Sequence, residues 1–416
     1  MTEKHAQTPA GRIKIFLLQH PYSLLALAAA LVSYTLMWGS LQGFVDAIDH
    51  CDKLFCDFEA QYYPMGKVIF TEKQPVLGYF YSAFSAIVLS VFSLFGKTAA
   101  LWLWGAGQLA AAYALLVLPL RHVFKLSDRG KAWYLLLFLT SLPLLHNFKW
   151  GQVSVAITLM VIGAFTAYRQ DKPLLSAVLL AVATSIKYYP AIFILIFVFK
   201  RDYRYLRNFT LAVGVCMALA AGLLGPANWL RFDLHVIEFT ITKIWTSFNS
   251  QHFVAVVDRL AKTFLGRQIS EVRLAQLGQL SLLAAAMNIA LAYFFVRKSK
   301  GPQRDYLAMM ALFLSIPFII KTSWPHYFVF LPFGQTLLFL YARSEIQHKS
   351  IRYLVYGLTA ASVALVNSYI FKLFPDWQVY SELGPFFFAN LFLLAGIYLL
   401  VLHRFMPVFQ PVTGKQ

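Results

Sequence analysis

Apolar runs of near-membrane length recur along almost all of the 416-residue chain and constrain its fold more than any other feature. A bilayer core about 30 Å thick needs about 20 apolar residues per helix. Hydrophobic residues make up 59% of the chain and charged residues only 13%, whereas soluble domains carry about 25% charged residues. The sequence therefore predicts an all-α polytopic membrane protein, with residues 1–416 forming a single integral membrane domain.

Several of the predicted spans are short and meet at small polar breaks. Short paired segments around such breaks indicate discontinuous helices that line a cavity, because irregular backbone is tolerated at membrane depth only there. The run at 21–38 has no convincing small-residue cleavage site after it, so we interpret it as a retained first span. The twelve predicted spans are 21–38, 98–120, 132–145, 153–168, 174–186, 190–199, 208–224, 277–296, 306–320, 327–341, 353–371 and 385–402.

The basic charge decides the predicted topology. The formal net charge is +18, which in a soluble protein would suggest nucleic acid. Here it is better explained by the concentration of Lys and Arg in cytoplasmic loops, so we expect no nucleic-acid partner. Counting residues 75–95 as a span would place the basic segment 121–131 outside. We therefore predict that 75–95 forms a juxtamembrane helix at the outer interface. The inner segments then carry a net charge of +16 and the outer ones +2, and both termini are predicted to be cytoplasmic.

Two large loops, 39–97 and 225–276, lie on the predicted outer face. Residues 228–247 alternate apolar groups with charges, which indicates a second interfacial helix in the later loop. We expect the chemistry at this face, where the loops and the helix breaks converge.

The first outer loop concentrates ionisable side chains, namely Asp49, His50, Asp52, Asp57 and Glu59. Such groups close to a bilayer are functional candidates, and a carboxylate there can serve as a general base for an acceptor hydroxyl. A solvated acidic loop is the simpler interpretation of Asp49 and Asp52. Asp57 differs because aromatic residues surround it, and we expect desolvation to raise its pKa. Asp57 is therefore the catalytic candidate, with Glu59 secondary.

Cys51 and Cys56 flank this cluster on the side of the membrane where disulfides persist. Their spacing permits a disulfide, but the geometry does not follow from the sequence. A metal pair with His50 is the alternative, although further ligands at the usual zinc spacings are missing. We expect no metal site.

Three lysines, Lys149, Lys187 and Lys321, each stand in a short outer break between predicted half-helices. Cations at the rim of a cavity suit a phosphate group. Snorkelling beside an aromatic belt explains any single one of them equally well, but three in separate breaks favour anion binding. His252, in the second outer loop, is a weaker candidate. The polar neighbours in these breaks are Asn147, Gln152 and His326.

These residues resemble those of the GT-C glycosyltransferases, membrane enzymes that use polyprenyl-phosphate sugars. The stretch 72–79, which contains Lys73, is similar to the loop of aminoarabinose and mannosyl transferases that forms a juxtamembrane helix. Within this fold the chain resembles glycosyltransferase family 87, the polyprenyl-phosphate-mannose α-mannosyltransferases, over about residues 10–345. It has Gln74-Pro75-Val76 where that family usually has Tyr-Pro-Pro. The matching motifs are Asp57 with Tyr62, Gly151-Gln152, Lys187-Tyr188-Tyr189-Pro190 and Trp324-Pro325-His326-Tyr327.

The resemblance implies an inverting transfer of mannose, or of another hexose or pentose, from a polyprenyl phosphate to a lipid or glycan acceptor. It places the reaction at the periplasmic face of a bacterial inner membrane, among membrane lipids, without a cofactor. Asp57 would be the base and Lys187, Lys321 and Lys149 would bind the phosphate. The residues expected to orient the donor are Gln152, Asn147, His326 and Tyr62, with Glu59, Lys73 and His252 as secondary candidates.

Two other functions fit parts of the pattern. A transporter or a lipid-linked-sugar flippase also has broken helices with buried charge, but the carboxylates here lie in an outer loop instead of at the membrane midplane. An acyltransferase or polysaccharide ligase also has large outer loops. A polyprenyl-phosphate-sugar-dependent transferase is the prediction that uses all the motifs.

Overall fold

The computed structural model describes residues 20–242, 247–298 and 303–405. The predictions for the two termini concern residues outside this part of the chain. The described residues form helices joined by short loops, with one isolated backbone bridge between Ser141 and Asn367. The prediction of an all-α membrane protein is confirmed.

The helices of the first half are α1 (Pro21–Trp38), α2 (Leu41–Ala47), a π-helical turn (Phe58–Tyr62), α3 (Tyr63–Val68), α4 (Ala83–Ser93), α5 (Lys97–His122), α6 (Asp128–Leu139), α7 (Leu142–Trp150), α8 (Ser154–Arg169), α9 (Pro173–Ile186), a 3₁₀ turn (Tyr189–Phe193) and α10 (Ile194–Lys200). Those of the second half are α11 (Tyr203–Leu224), α12 (Pro226–Thr242), α13 (Phe253–Leu265), α14 (Glu271–Lys298), α15 (Arg304–Phe313), α16 (Ile316–Ile319), a 3₁₀ turn (Pro325–Phe328), α17 (Leu331–Glu345), α18 (Lys349–Leu365), α19 (Ser368–Phe371), α20 (Trp377–Glu382) and α21 (Pro385–Phe405).

Five stretches of the described chain are helical, long and apolar enough to cross a bilayer individually. They are Pro21–Trp38, Lys97–His122, Tyr203–Leu224, Glu271–Lys298 and Trp377–His403. Shorter apolar helices lie between them, including α8 and α9. The predicted total of twelve spans therefore stays a prediction.

The segment at 75–95 is only partly helical. Its helix, α4, has 11 residues and is therefore about 16 Å long, too short for a core about 30 Å thick. The expectation of a helix from residue 75 onward was wrong, because Gly78 adopts φ +83° and the chain turns there. The helix starts only where the Ser82 hydroxyl accepts a hydrogen bond from Ser85 N.

The two large loops, 39–97 and 225–276, are joined at the start of α4. Asp233, on α12, accepts a hydrogen bond at 2.8 Å from the backbone N–H of Ala83, one of the orphan donors at a helix N-terminus. The predicted helix at 228–247 corresponds to α12, which begins two residues earlier at Pro226. Residues 243–246 lie outside the described part of the chain.

Two helix breaks supply each other's hydrogen bonds. The predicted span 132–145 divides at Thr140 and Ser141, and the predicted span 353–371 divides at Val366 and Asn367. Leu142 N donates to Val366 O at 2.8 Å, and Ser368 N donates to Thr140 O at 3.0 Å. Backbone groups freed by a broken membrane helix need such partners. This pairing fixes the start of α7, which carries site residues.

Candidate active site

Asp57 is held in place by the aromatic residue that follows it. Phe58 is fully buried and stacks on Trp104 of α5 with ring centroids 4.7 Å apart. On the other side, Phe55 N donates to Lys149 O at 2.8 Å. Both contacts anchor the loop to neighbouring helices, so the position of the Asp57 carboxylate is set by buried packing.

Gln152 connects Asp57 to two buried tyrosines, Tyr62 and Tyr81, through hydrogen bonds. Its Nε2 donates a hydrogen bond to Asp57 Oδ2. Its Oε1 accepts from the hydroxyl of Tyr62 at 3.0 Å and from that of Tyr81. Gln61 donates to the other carboxylate oxygen of Asp57 at 3.4 Å. The amide thereby orients the carboxylate and two phenols together.

Gly151 brings Gln152 to this position by ending α7. It adopts φ +67°, a left-handed conformation that glycine takes without a steric penalty. An added Cβ would lie 3.0 Å from Phe55 Cα and 3.0 Å from Trp104 Nε1. The close approach of the first loop therefore also requires glycine here.

Two further amide side chains, those of Gln108 and Asn147, support the position of Gln152. Gln108 Nε2 donates to the backbone oxygen of Gln152 at 2.9 Å, and Asn147 Nδ2 donates to Gln108 Oε1 at 2.8 Å. Asn147 is fully buried. Its contacts support Gln152, whereas the sequence predicted a direct contact with the donor.

Lys187 lies beside Tyr81, one of the two tyrosines that bind Gln152. Its ammonium is 3.9 Å from the centre of the Tyr327 ring and 4.7 Å from that of Tyr81, with Tyr81 OH 3.5 Å away. Aromatic faces attract a cation without neutralising it. Lys187 is almost fully buried, and its charge interacts with that of Asp57.

Burial shifts the pKa values of Asp57 and Lys187 in opposite directions. Burial raises the pKa of Asp57 to about 7, although the hydrogen bond from Gln152 and the charge of Lys187 lower it. Burial lowers the pKa of Lys187 to about 7, although the charge of Asp57 raises it. Both groups therefore titrate near neutral pH, where an acid–base catalyst is most effective.

A second cluster adjoins the first and contains two histidines. His146 and His326 stack with ring centroids 5.4 Å apart, and Asp49 Oδ2 lies 3.7 Å from His146 Nε2. Asn249, from the second large loop, donates to the same Asp49 oxygen. Both ring nitrogens of His326 and the Nδ1 atom of His146 are buried and have no hydrogen-bond partner among the described residues. Such groups are available to the hydroxyls of a polar ligand.

The structure gives Lys149 a supporting role in the first large loop. It lies on α7 and not in a break, is fully buried, and donates to the backbone oxygens of Val45 and Cys51. Its ammonium therefore holds the first large loop, which corrects the expectation that it binds a phosphate.

Cys51 and Cys56 are joined, with their Cα atoms 6.6 Å apart. With both sulfur atoms paired to each other, the alternative metal pair with His50 is not formed.

The secondary candidates lie around the edge of the site. Glu59 pairs with Lys97 and, at 3.4 Å, with Lys53, so its carboxylate is neutralised on the protein surface. Lys73 occupies a left-handed turn after α3. His252 is buried at the start of α13, where burial and the charge of Lys321 lower its pKa to about 4. Lys321 is therefore close enough to His252 for its charge to act on the imidazole.

The model of Glycosyltransferase family 87 matches residues 79–320, more than half of the chain. The chain belongs to glycosyltransferase family 87. This family 87 protein is thus a membrane glycosyltransferase. The match includes Gln152 and Lys187, whereas Asp57 and His326 lie outside the matched residues.

A curated relative of this family 87 protein comes from Mycolicibacterium smegmatis (strain ATCC 700084 / mc(2)155). It is a polyprenol-phosphate-mannose-dependent alpha-(1-2)-phosphatidylinositol mannoside mannosyltransferase, 26% identical over 230 residues. The aligned part is 54% of this chain and 48% of the relative, so the chain spans about half the length of the curated relative that it matches.

Sequence reasoning missed three members of this glycosyltransferase's site. Tyr81 was covered only by the predicted helix at 75–95 and His146 only by the gap between the spans 132–145 and 153–168, and Asp49 was interpreted as part of a solvated acidic loop. Their contacts join residues 71 or more positions apart, which spacing along the chain does not reveal. The one available signal was that each is polar or ionisable and lies close to an apolar run.

Proposed function

We propose that this chain transfers a sugar from a polyprenyl phosphate to a hydroxyl group of a lipid or glycan acceptor, with inversion at the anomeric carbon. Mannose is the proposed sugar because the curated relative is named as dependent on polyprenol-phosphate mannose. The observation that carries the proposal is the buried pairing of Asp57 with Gln152 a short distance from Lys187.

The proposed reaction is a single displacement. Asp57 accepts the proton of the acceptor hydroxyl as its oxygen attacks C1 of the sugar, while the bond from C1 to the phosphate oxygen breaks. Polyprenyl phosphate leaves with that electron pair, and the ammonium of Lys187 stabilises the charge that grows on it. His146 and His326, whose pKa values burial lowers, are neutral and can both donate and accept hydrogen bonds to sugar hydroxyls.

An apolar cavity supports a lipid-linked substrate. It has a volume of about 980 Å³ and lies among α1, α5, α6 and α7. Leu54 and Phe55 form part of its wall, two or three residues before Asp57. An isoprenoid chain in this cavity would deliver its phosphate toward the Asp57 cluster.

We further propose that the chain is one integral membrane domain of a bacterial inner membrane with its site on the periplasmic side. The charge distribution between the predicted inner and outer segments supports this orientation. Lys187 is the proposed phosphate-binding cation, and Lys321, whose charge acts on His252, is a second candidate.

The deciding test compares two acidic residues of the same loop. The purified chain in lipid nanodiscs would be given labelled polyprenyl-phosphate mannose and a lipid mannoside acceptor. We expect Asp57→Asn to lower kcat by about 10²–10⁴-fold, because the amide takes no proton. The matched variant Asp52→Asn, at an exposed carboxylate, should transfer sugar like the parent.

Equal activity of Asp57→Asn and the parent would disprove the role of Asp57. Movement of labelled donor between leaflets without release of polyprenyl phosphate would instead identify a flippase.

A further inference from the structure

A second, polar cavity lies at the opposite end of the helices that carry the proposed active site. Its volume is about 600 Å³. The charged residues that line it are four cations and two carboxylates: Arg169, Lys200, Arg297, Arg304, Asp171 and Asp305.

Helix lengths separate this cavity from Asp57. Helix α8 has 16 residues and is therefore about 24 Å long, with Gln152 just before its first residue and Arg169 at its last. Likewise, Lys187 precedes the 3₁₀ turn and α10, whereas Lys200 ends α10. The basic cavity and the Asp57 site therefore lie at opposite ends of these apolar helices.

The carboxylates balance only part of the positive charge. Asp305 Oδ2 accepts from Lys200 Nζ at 2.7 Å, and its Oδ1 lies 3.4 Å from Arg304 Nε. With four cations and two carboxylates the lining has a net charge of +2. An anionic group that brought two negative charges or several acceptor oxygens would complete the balance.

Aromatic contacts hold two of the cations at the cavity. The Arg169 guanidinium lies 5.2 Å from the centre of the Tyr306 ring, and the Lys200 ammonium lies 4.3 Å from that of Tyr168. Tyr168 in turn donates to Asp202 at 2.8 Å. These contacts restrict the side chains without using up their charge, so the positive groups are pre-positioned for a ligand.

We propose that this cavity binds the phosphate group of an anionic phospholipid in the leaflet opposite the active site. Basic pockets between membrane helices are typical sites for such headgroups. A lipid is favoured over a soluble phosphate because apolar surface adjoins the cations. Tyr293, one turn before Arg297 on α14, packs edge-on against Phe199 at 5.2 Å and is 46% exposed. An acyl chain would lie along this surface.

The test measures lipid binding directly and does not depend on sugar transfer. Native mass spectrometry of the purified chain would follow titration with dioleoyl phosphatidylglycerol, with dioleoyl phosphatidylcholine as the neutral lipid. We expect Arg169→Gln with Arg297→Gln to weaken phosphatidylglycerol binding at least about fivefold. Phosphatidylcholine binding should stay unchanged.

The matched control removes two exposed arginines at the same end of the molecule, Arg204 and Arg207, on the first turns of α11. That double variant, R204Q/R207Q, should bind phosphatidylglycerol like the parent. Equal losses in both double variants would show general surface charge and overturn the site. Unchanged binding in R169Q/R297Q would also overturn it.

Two further binding measurements use a charge-retaining variant and a soluble phosphate ester. The charge-retaining variant R169K/R297K should keep phosphatidylglycerol binding, and this also tests the site if the glutamine variant fails to fold; loss of binding there would contradict the proposal. Glycerol 3-phosphate is the soluble probe. If it binds as tightly as phosphatidylglycerol, the ligand is a free phosphate ester and the lipid assignment is wrong.

Discussion

At the scale of single residues, the rate of sugar transfer should depend on pH, because Asp57 must be ionised and Lys187 must be protonated. The pKa of each is near 7. The carboxylate form of Asp57, needed as base, is gained as pH rises through that value, and the ammonium form of Lys187 is lost. Transfer should therefore be maximal near neutral pH and fall on both sides.

The variant Lys187→Arg tests which limb belongs to which residue. A guanidinium stays charged throughout the accessible range, so the alkaline limb of kcat/KM should move to higher pH, whereas the acid limb should remain. The profile would be measured from about pH 5 to about pH 9. An alkaline limb that does not move would show that Lys187 is not the titrating cation.

Gln152 should set the position of the acid limb. Its hydrogen bond lowers the pKa of Asp57, so Gln152→Leu should move the acid limb upward. We also expect kcat to fall by about tenfold, because the carboxylate loses its orientation. The graded control is Gln61→Leu, whose contact with Asp57 is 3.4 Å and whose effect should be smaller. A larger effect at Gln61 would contradict this ranking.

The sequence identified some of these residues but not their arrangement. Asp57 was selected for its aromatic neighbours and Lys187 for its place between helices, and the structure brings both to one cluster. Lys149 shared the same local pattern, yet its ammonium binds loop carbonyls. The difference depends on which distant backbone groups lack partners, and this is decided by tertiary packing.

At the scale of helices, the end of α7 determines whether the first loop reaches the site. Gly151→Ala would place a Cβ 3.0 Å from the Phe55 backbone in a left-handed conformation. We expect destabilisation of about 2 kcal/mol or more, measured as a lower Tm, together with reduced transfer. The control Gly107→Ala, on α5, has no atom within 4 Å of the added Cβ and should not lower Tm. Equal Tm values for both variants would contradict this explanation.

The predicted helix breaks at 187–189 and 321–326 lie between helices in the structure, but a third was misplaced by several residues. The sequence placed a break at 146–152, whereas α7 runs from Leu142 to Trp150. Proline is well tolerated in the first turn of a helix, so Pro143 starts a new helix after the break at Thr140 and Ser141. The partner of that break, at Val366 and Asn367, lies more than 220 residues away, and no local pattern indicates it.

At the scale of the whole molecule, the proposed active site and the basic cavity lie at opposite ends of the protein. The histidine cluster beside Asp57 receives residues from both large loops, since Asn249 reaches Asp49. The basic cavity around Lys200 lies at the other end. Overall hydrophobicity predicted a membrane protein, and this is confirmed. The excess of basic residues predicted its orientation, which stays a prediction.

The apolar cavity beside the first loop should determine the length of lipid that the enzyme uses. Leu109, on α5, lines this cavity, and Leu109→Trp would occupy part of its volume. We expect KM for a long-chain polyprenyl-phosphate mannose to rise several-fold, because the isoprenoid loses apolar contact area. A donor with a short chain fills less of the cavity, so its KM should change little.

Leu103→Trp, on the same helix but outside the cavity lining, is the matched control. The steady-state KM values for both donors check this expectation. If Leu109→Trp raises KM for the acceptor and not for the donor, the cavity holds the acceptor's lipid chain and this assignment is wrong.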